Sequence, residues 1–409
     1  MMFRDRWRTF SAAPHRMLMF GGAVQFVASL AYWLVELTGR YTTWWAPLNT
    51  TIAGIHAHAF LMLYGLFPFF IFGFLMTTYP RWMGVAEVPR PRYVRTFLLM
   101  VAGVVAFYLG LFLSKTLLLV GLALLEIGFL SGATALWAVY RSARGRDRHY
   151  ERLLNGALGA GAGGMALFGL GLAAQRGDWL IWAQHIGTWW FLAAVLVTVS
   201  HRMLPFFTRG VPNTEPVNQP RYGLPLLVAG VVLHGALELA GLGLWTWAVD
   251  LPLAAVAGYH LWQWGVARSF GVPLLAMLHV SFAWLAIALT LSGVRSLAWL
   301  TTGADYLARG PLHALGIGFV AGMTLGMATR VTLGHSGRAL EADRFTWTLF
   351  WLIGAAAVLR VLGELSWGAG LAGVGATWLA AALLAAVAAL WAGQYAPMYV
   401  RSRVDGRAG

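Results

Sequence analysis

Apolar runs of about twenty residues follow one another along nearly the whole chain, each closed by a short polar stretch, as expected of helices that cross a bilayer. Twelve such runs lie near 17–37, 52–79, 94–113, 116–140, 153–174, 179–206, 222–242, 244–267, 271–292, 305–331, 346–366 and 371–396. They predict an all-α, polytopic integral membrane protein of about twelve transmembrane helices in one bundle. The third and fourth runs are parted only by Ser114-Lys115, and the seventh and eighth only by Gly241-Leu242-Gly243, so those boundaries are the least defined. The longest connections, 80–95, 141–152, 207–221 and 332–345, are roughly 15 residues and hold no separate domain. The chain therefore reads as a basic segment 1–16, a transmembrane domain 17–396 and a tail 397–409. The first run is too long for a secretory signal, and no small-x-small site follows it.

Composition agrees. Hydrophobic residues make up 59% of the 409 and charged residues 11%, against about 25% charged in soluble domains; the mean hydropathy is +0.68. With no cysteine, disulfides, thiolate-ligated haem, iron–sulfur clusters, zinc–thiolate sites and covalent c-type haem are excluded. Any metal falls to His, Met, Asp or Glu.

The net charge of +14 comes almost entirely from arginine, since Lys115 is the sole lysine. Nucleic acid is not the expected partner, because the arginines are spread over many loops. With the N-terminus inside, 23 basic residues fall in cytoplasmic segments and 5 (Arg40, Lys115, Arg176, Arg295, Arg309) outside, with Arg360 within a run. The positive-inside rule then puts both termini in the cytoplasm. Glycines at 156, 159 and 163, and the pairs Gly128-x-x-x-Gly132 and Gly322-x-x-x-Gly326, predict close helix approach.

The eleven histidines carry the chemistry. Ionisable groups within spans are costly and mark functional sites. In this orientation His56 and His58 open the second span at its outer end. His185 lies one to two turns into the sixth span from outside, and His313 about two turns into the tenth. His234 and His279 fall near mid-membrane or slightly outward. His15, His149, His201, His260 and His335 fall on the cytoplasmic side. The outer set, His56, His58, His185, His234, His279 and His313, is the candidate metal- or haem-ligand set, since imidazole suits iron, copper and zinc. On a helix His56 and His58 point about 200° apart and address two centres; on an extended strand both face one way. Arg309 lies one turn before His313, placed to meet a haem propionate. Arg360 and Glu364 share a face as an ion pair, and Glu238 follows His234 by one turn as an orienting partner. On the inner side, glycines 334 and 337 predict a compact turn over 329–338 in which Arg330, His335 and Arg338 converge.

Four stretches together resemble the NnrS family of twelve-span bacterial membrane proteins. They are His56-Ala-His58 with Phe72-Gly-Phe-Leu-Met-Thr-Thr-Tyr-Pro-Arg-Trp-Met-Gly84, Arg202-Met-Leu-Pro-Phe-Phe-Thr-Arg209, Leu278-His279-Val-Ser-Phe-Ala-Trp-Leu285, and His313-Ala-Leu with Met327-Ala-Thr-Arg-Val-Thr-Leu-Gly-His-Ser-Gly-Arg338. The resemblance implies haem b, with or without copper, and a role in nitric oxide tolerance and denitrification. It carries over to His56, His58, His279, His313, Arg330, His335 and Arg338. Two positions depart from the family pattern: Ala59 stands where Glu is usual, and His201 where Gly is usual. The expected partners are lipid and a small ligand such as nitric oxide, with an electron donor that the sequence does not name. Two other classes compete. A haem–copper oxidase or nitric oxide reductase-like enzyme also has outer histidines on several spans, but the adjacent His-His pair of that class is missing here. A twelve-span transporter would show halves of similar sequence, and none is evident.

Overall fold

The computed structural model describes residues 2–143, 147–211, 217–365 and 370–406, with side chains from residue 5 onward. Arg144, Arg146 and Arg407 of the orientation count lie outside these residues. Among the described residues every regular element is a helix. After a short helix, Met2–Phe10, twelve long ones follow: α1 (Pro14–Tyr41), α2 (Gly54–Met83), α3 (Arg90–Leu113), α4 (Lys115–Ser142), α5 (His149–Ala173), α6 (Gly177–Arg209), α7 (Gly223–Leu239), α8 (Trp247–Gln263), α9 (Pro273–Thr302), α10 (Gly310–Ser336), α11 (Arg344–Leu362) and α12 (Leu371–Val400). Ten of them are long and apolar enough to cross a bilayer; α7 and α8, at 17 residues each, are not counted among the ten.

Local chemistry sets these ends. Ser114 is the whole connection between α3 and α4: it ends one helix and caps the next, its hydroxyl accepting from the Leu117 N–H at 3.2 Å. Asp343 caps α11 in the same way, accepting from the Thr346 N–H at 2.8 Å. The predicted spans 222–242 and 244–267 shorten for a visible reason. Gly241 at φ +73° and a 3₁₀ turn, Gly243–Trp245, part α7 from α8, and Gly265 at φ +79° follows the end of α8. Conversely, α9 runs ten residues past its predicted end. Arg295, in that extension, makes a two-pronged ion pair with Asp305 beyond the turn, at 2.7–3.1 Å.

The outer faces are as apolar as the inner ones. On α3 and α4, Leu98, Val105, Leu109, Phe112, Val120 and Ile127 are exposed at helical spacing. A helix that is apolar all round needs lipid or protein on every side.

The chain divides into two compact units. The first holds residues 1–192, 331–339 and 388–409. In it α3 and α4 form a hairpin without room for side chains at Gly103, Gly110 and Gly121, where a Cβ would strike the backbone of Leu125, Leu118 and Phe107. Gly128 and Gly132 approach Met100 and Phe72 as predicted. Glycines 156, 159 and 163 do not pack: a Cβ on any of them meets nothing within 4 Å. The packed stripe of α5 is Gly161 and Gly164, against Phe191 and Tyr64. Both sets have helical spacing, so the sequence pattern alone does not choose between the faces. Phe60 is the hub of this core, with Phe107 and Phe168 each 4.8 Å from it.

The second unit holds residues 193–330 and 340–387. Here α9 and α10 run antiparallel, with Gly326, Gly322 and Gly318 of α10 against Leu278, Ser281 and Trp284 of α9. The predicted Gly322-x-x-x-Gly326 approach is thus present. Trp264 packs on Phe282 at 4.9 Å in the same core.

Candidate functional site

Three long helices depart from α geometry, and each does so just after a candidate histidine. In α2 a π-helical turn runs Leu61–Leu66, three residues after His58. In α6 it runs Ile186–Ala193, directly after His185. In α10 it runs Ala314–Ala321, directly after His313. A π turn inserts one extra residue, weakens the regular ladder and is found frequently at functional positions. No sequence pattern used above flags these turns.

In the first unit the segment Gly54–Phe60 is α-helical, so His56 and His58 point to different sides. His58 stacks flat on Trp33 of α1, centroids 4.0 Å apart and planes 12° apart. The Arg40 guanidinium lies 5.6 Å over the same indole, and Glu36, which is buried, accepts from Arg40 at 2.8 Å and from the Leu48 N–H at 2.9 Å. His56 faces α6 instead, with Nδ1 3.4 Å from the Gln184 amide nitrogen. His185 follows Gln184, so this unit brings His56 and His185 to the same end of the α2–α6 pair. Below them Tyr64, inside the π turn of α2, donates to the Ala183 carbonyl at 2.6 Å. Its ring lies parallel to Phe191, 6.3 Å away, and takes the space where Gly187 and Gly164 lack side chains.

In the second unit His313 donates from Nδ1 to the Arg309 carbonyl at 2.9 Å. A carbonyl only accepts, so in the neutral ring the proton is on Nδ1 and Nε2 keeps its lone pair. Arg309 is exposed, directly before the first turn of α10. Nearby, Gly310 packs against Val361 and Glu364, and Arg360 and Glu364 form the predicted ion pair, both mostly buried. Asp305 accepts from the Leu307 and Ala308 N–H groups as well as from Arg295. Burial pushes its carboxyl up, but the hydrogen bonds and charge of Arg295 outweigh this and hold it below the usual range.

His234 is oriented by a residue the sequence reading misses. Its Nδ1 is 2.6 Å from Asp250 of α8, and both side chains are within 2% of full burial. The expected partner Glu238 is on the other nitrogen, 3.9 Å from Nε2. Asp250 lies in the first turn of α8, and a carboxylate inside a predicted apolar run is the signal that points to such a partner.

The expected depth of His279 is corrected. Its Nε2 is 3.0 Å from the hydroxyl of Thr208, in the last turn of α6. That hydroxyl gives its proton to the Leu204 carbonyl at 2.8 Å, so the imidazole is the donor and Nδ1 keeps a lone pair. The α9–α10 contacts put His279 about ten residues along α9 from the level of His313, roughly 15 Å at 1.5 Å per residue. One metal does not bind both. Among the described residues, no three His, Asp or Glu side chains stand close enough together to hold a metal ion.

The predicted compact turn over 329–338 is not a turn for most of its length. Helix α10 continues through Ser336, and Gly337 at φ +77° ends it. The Arg330 guanidinium lies 4.0 Å over the Phe207 ring. His335 meets His15, ring centroids 4.2 Å apart, and its carbonyl accepts from Arg403 at 3.2 Å. Arg403 is held by Asp405, whose hydrogen bonds raise the guanidinium above its ordinary value.

The family model described as NnrS protein matches residues 9–403. The chain belongs to the NnrS family. No curated protein matches it. The match spans every candidate histidine, Arg309 and all three π turns.

Proposed function

We propose that this NnrS-family chain is a twelve-span protein of the bacterial inner membrane that binds haem b and, through it, nitric oxide. The observation that carries the reading is the placing of π turns three residues after His58 and directly after His185 and His313. Unrelated structural histidines give no reason for that coincidence on three helices.

His313 would hold a haem iron: the Arg309 carbonyl fixes its ring through Nδ1, so that Nε2 of the neutral imidazole carries the lone pair. His56 or His58 would be a further haem ligand, and because the two point apart they would serve different centres. His185 is the next candidate on the same helix pair. A haem iron would need fewer protein side chains than a bare metal ion, so no cluster of three is required. Arg309 is placed for a propionate. His279 and His234 remain candidates for a second metal, copper being the one the family implies. When bound, the haem supplies an iron to which nitric oxide coordinates. The chain supplies the imidazoles, the Arg309 charge and an apolar surround that a small uncharged gas crosses from lipid. The family membership and ten bilayer-length helices support the membrane setting; α7 and α8 complete twelve.

Visible spectra of the purified protein, oxidised and reduced, test this directly. A Soret band is expected, and His313→Ala is expected to remove or shift it while His335→Ala leaves it unchanged. Less than about one haem per ten chains in a haem-replete preparation, for a cofactor no cysteine anchors, would end the proposal. So would the reverse pattern in the two variants.

A further inference from the structure

Outside the candidate set, the second unit contains two more imidazoles that converge. We infer that His201 of α6 and His260 of α8 form a separate site for a late transition-metal cation, monovalent copper. It does not depend on the haem reading.

The donor geometry is specific. His260 donates from Nδ1 to the Val256 carbonyl, one turn earlier, at 2.7 Å. Its Nε2 therefore keeps a lone pair, and among the described residues that buried nitrogen has no hydrogen-bond partner. Fixing one ring nitrogen by a carbonyl so that the other is presented is how metal-binding histidines are oriented. The residue is 1% exposed. The His201 ring centroid is 5.7 Å away, at 52°. Two imidazoles on one metal, at about 2 Å per bond, bring ring centroids to about 6 Å.

Gly223, the first residue of α7, marks where the two nitrogens aim. A Cβ there would collide with Nε2 of His260 and lie 3.1 Å from Nε2 of His201. Any other residue at 223 would occupy the gap, so only glycine leaves it open. Trp264 closes the pocket, its ring 5.6 Å from His201 and 5.3 Å from His260. The Gln219 amide holds the His201 carbonyl at 2.9 Å and ties down the chain leading into α7.

The number of donors selects the metal. Zinc takes four ligands, and hard cations take six or more oxygens. Monovalent copper, a soft d¹⁰ ion, is satisfied by two neutral imidazoles, and an apolar pocket favours the lower charge.

The experiment titrates the detergent-purified full chain anaerobically with Cu(I) in competition with a chromogenic chelator, counts copper by mass spectrometry and reads haem on the same samples. One Cu(I) per chain is expected at this site, with X-ray absorption showing two imidazole nitrogens at about 2 Å. His260→Gln and His201→Gln are each expected to weaken that copper at least about a hundredfold, and Gly223→Ala to do the same by filling the gap, with the haem bands unchanged. The wild-type absorption spectrum stands even if a variant fails to fold. A count of tightly held copper that is undiminished in both Gln variants, or a wild-type spectrum without histidine scattering, overturns the assignment.

Discussion

The His234–Asp250 pair shows at the scale of one residue how much of the site escapes the sequence. The histidine stands out as a polar group in an apolar run. Its partner is sixteen positions on, in another helix, and nothing along the chain pairs them. The same holds for His58 on Trp33, His56 at Gln184 and His279 at Thr208. Candidate ligands are legible because polarity in a span is rare; what orients each ring depends on which helices are neighbours. Energetics follow from burial. Removing one member of a buried hydrogen-bonded pair leaves the other without that partner, at a cost of about 1–3 kcal/mol, whereas replacing both with apolar groups of similar shape is nearly neutral. His234→Leu is therefore expected to lower the thermal midpoint in detergent, and His234→Leu/Asp250→Leu to restore most of the loss. A double variant no more stable than the single one would show that the two side chains do not act as a pair.

At the scale of the element, hydropathy places the long helices well. It misplaces the ends of α7, α8 and α9, where left-handed glycines and the Arg295–Asp305 pair decide. It also misses the π turns, because one added residue leaves composition unchanged. Each π turn offsets the segment before it from the segment after it by one residue, about 100° of helix rotation. Deleting Leu63 is expected to restore regular helix in α2 and swing His56 and His58 off their present faces. The measurement is haem absorbance beside far-ultraviolet circular dichroism: helicity stays and the haem band falls. An undiminished band would mean the turns do not position ligands. Glycine packing gives a second check. Gly110→Leu places a side chain in the backbone of Leu118 and is expected to prevent stable folding, whereas Gly156→Leu enters open space and is expected to leave the melting temperature within a few degrees. Equal effects would contradict the packed and open faces assigned to α3 and α5.

At the scale of the whole molecule, a common plan recurs in α2, α6 and α10, every fourth long helix: a histidine, a π turn, then an arginine toward the far end. His185 and Arg202 are seventeen residues apart, as are His313 and Arg330. Pairwise comparison of chain halves does not reveal a plan with three copies, and apolar residues substitute freely between them. The arginine bias predicts both termini in the cytoplasm. A reporter active only in the cytoplasm, fused after Gly409, is expected to give signal; a periplasmic signal would invert the orientation and move His56, His58, His185 and His313 to the inner side. Haem extracted by acid acetone from the intact protein is the companion expectation, since no cysteine bonds it covalently.

The single-residue break at Ser114 has a consequence for biogenesis. In the bilayer proposed here, a ribosome-bound insertion channel handles most helices in turn, because a polar loop lets the first settle before the second emerges. Between α3 and α4 there is no such loop, and the glycines at 103, 110 and 121 bring the two backbones into contact along most of their length. The pair is therefore expected to enter lipid as one preassembled hairpin, with Lys115, the chain's sole lysine, at its tip.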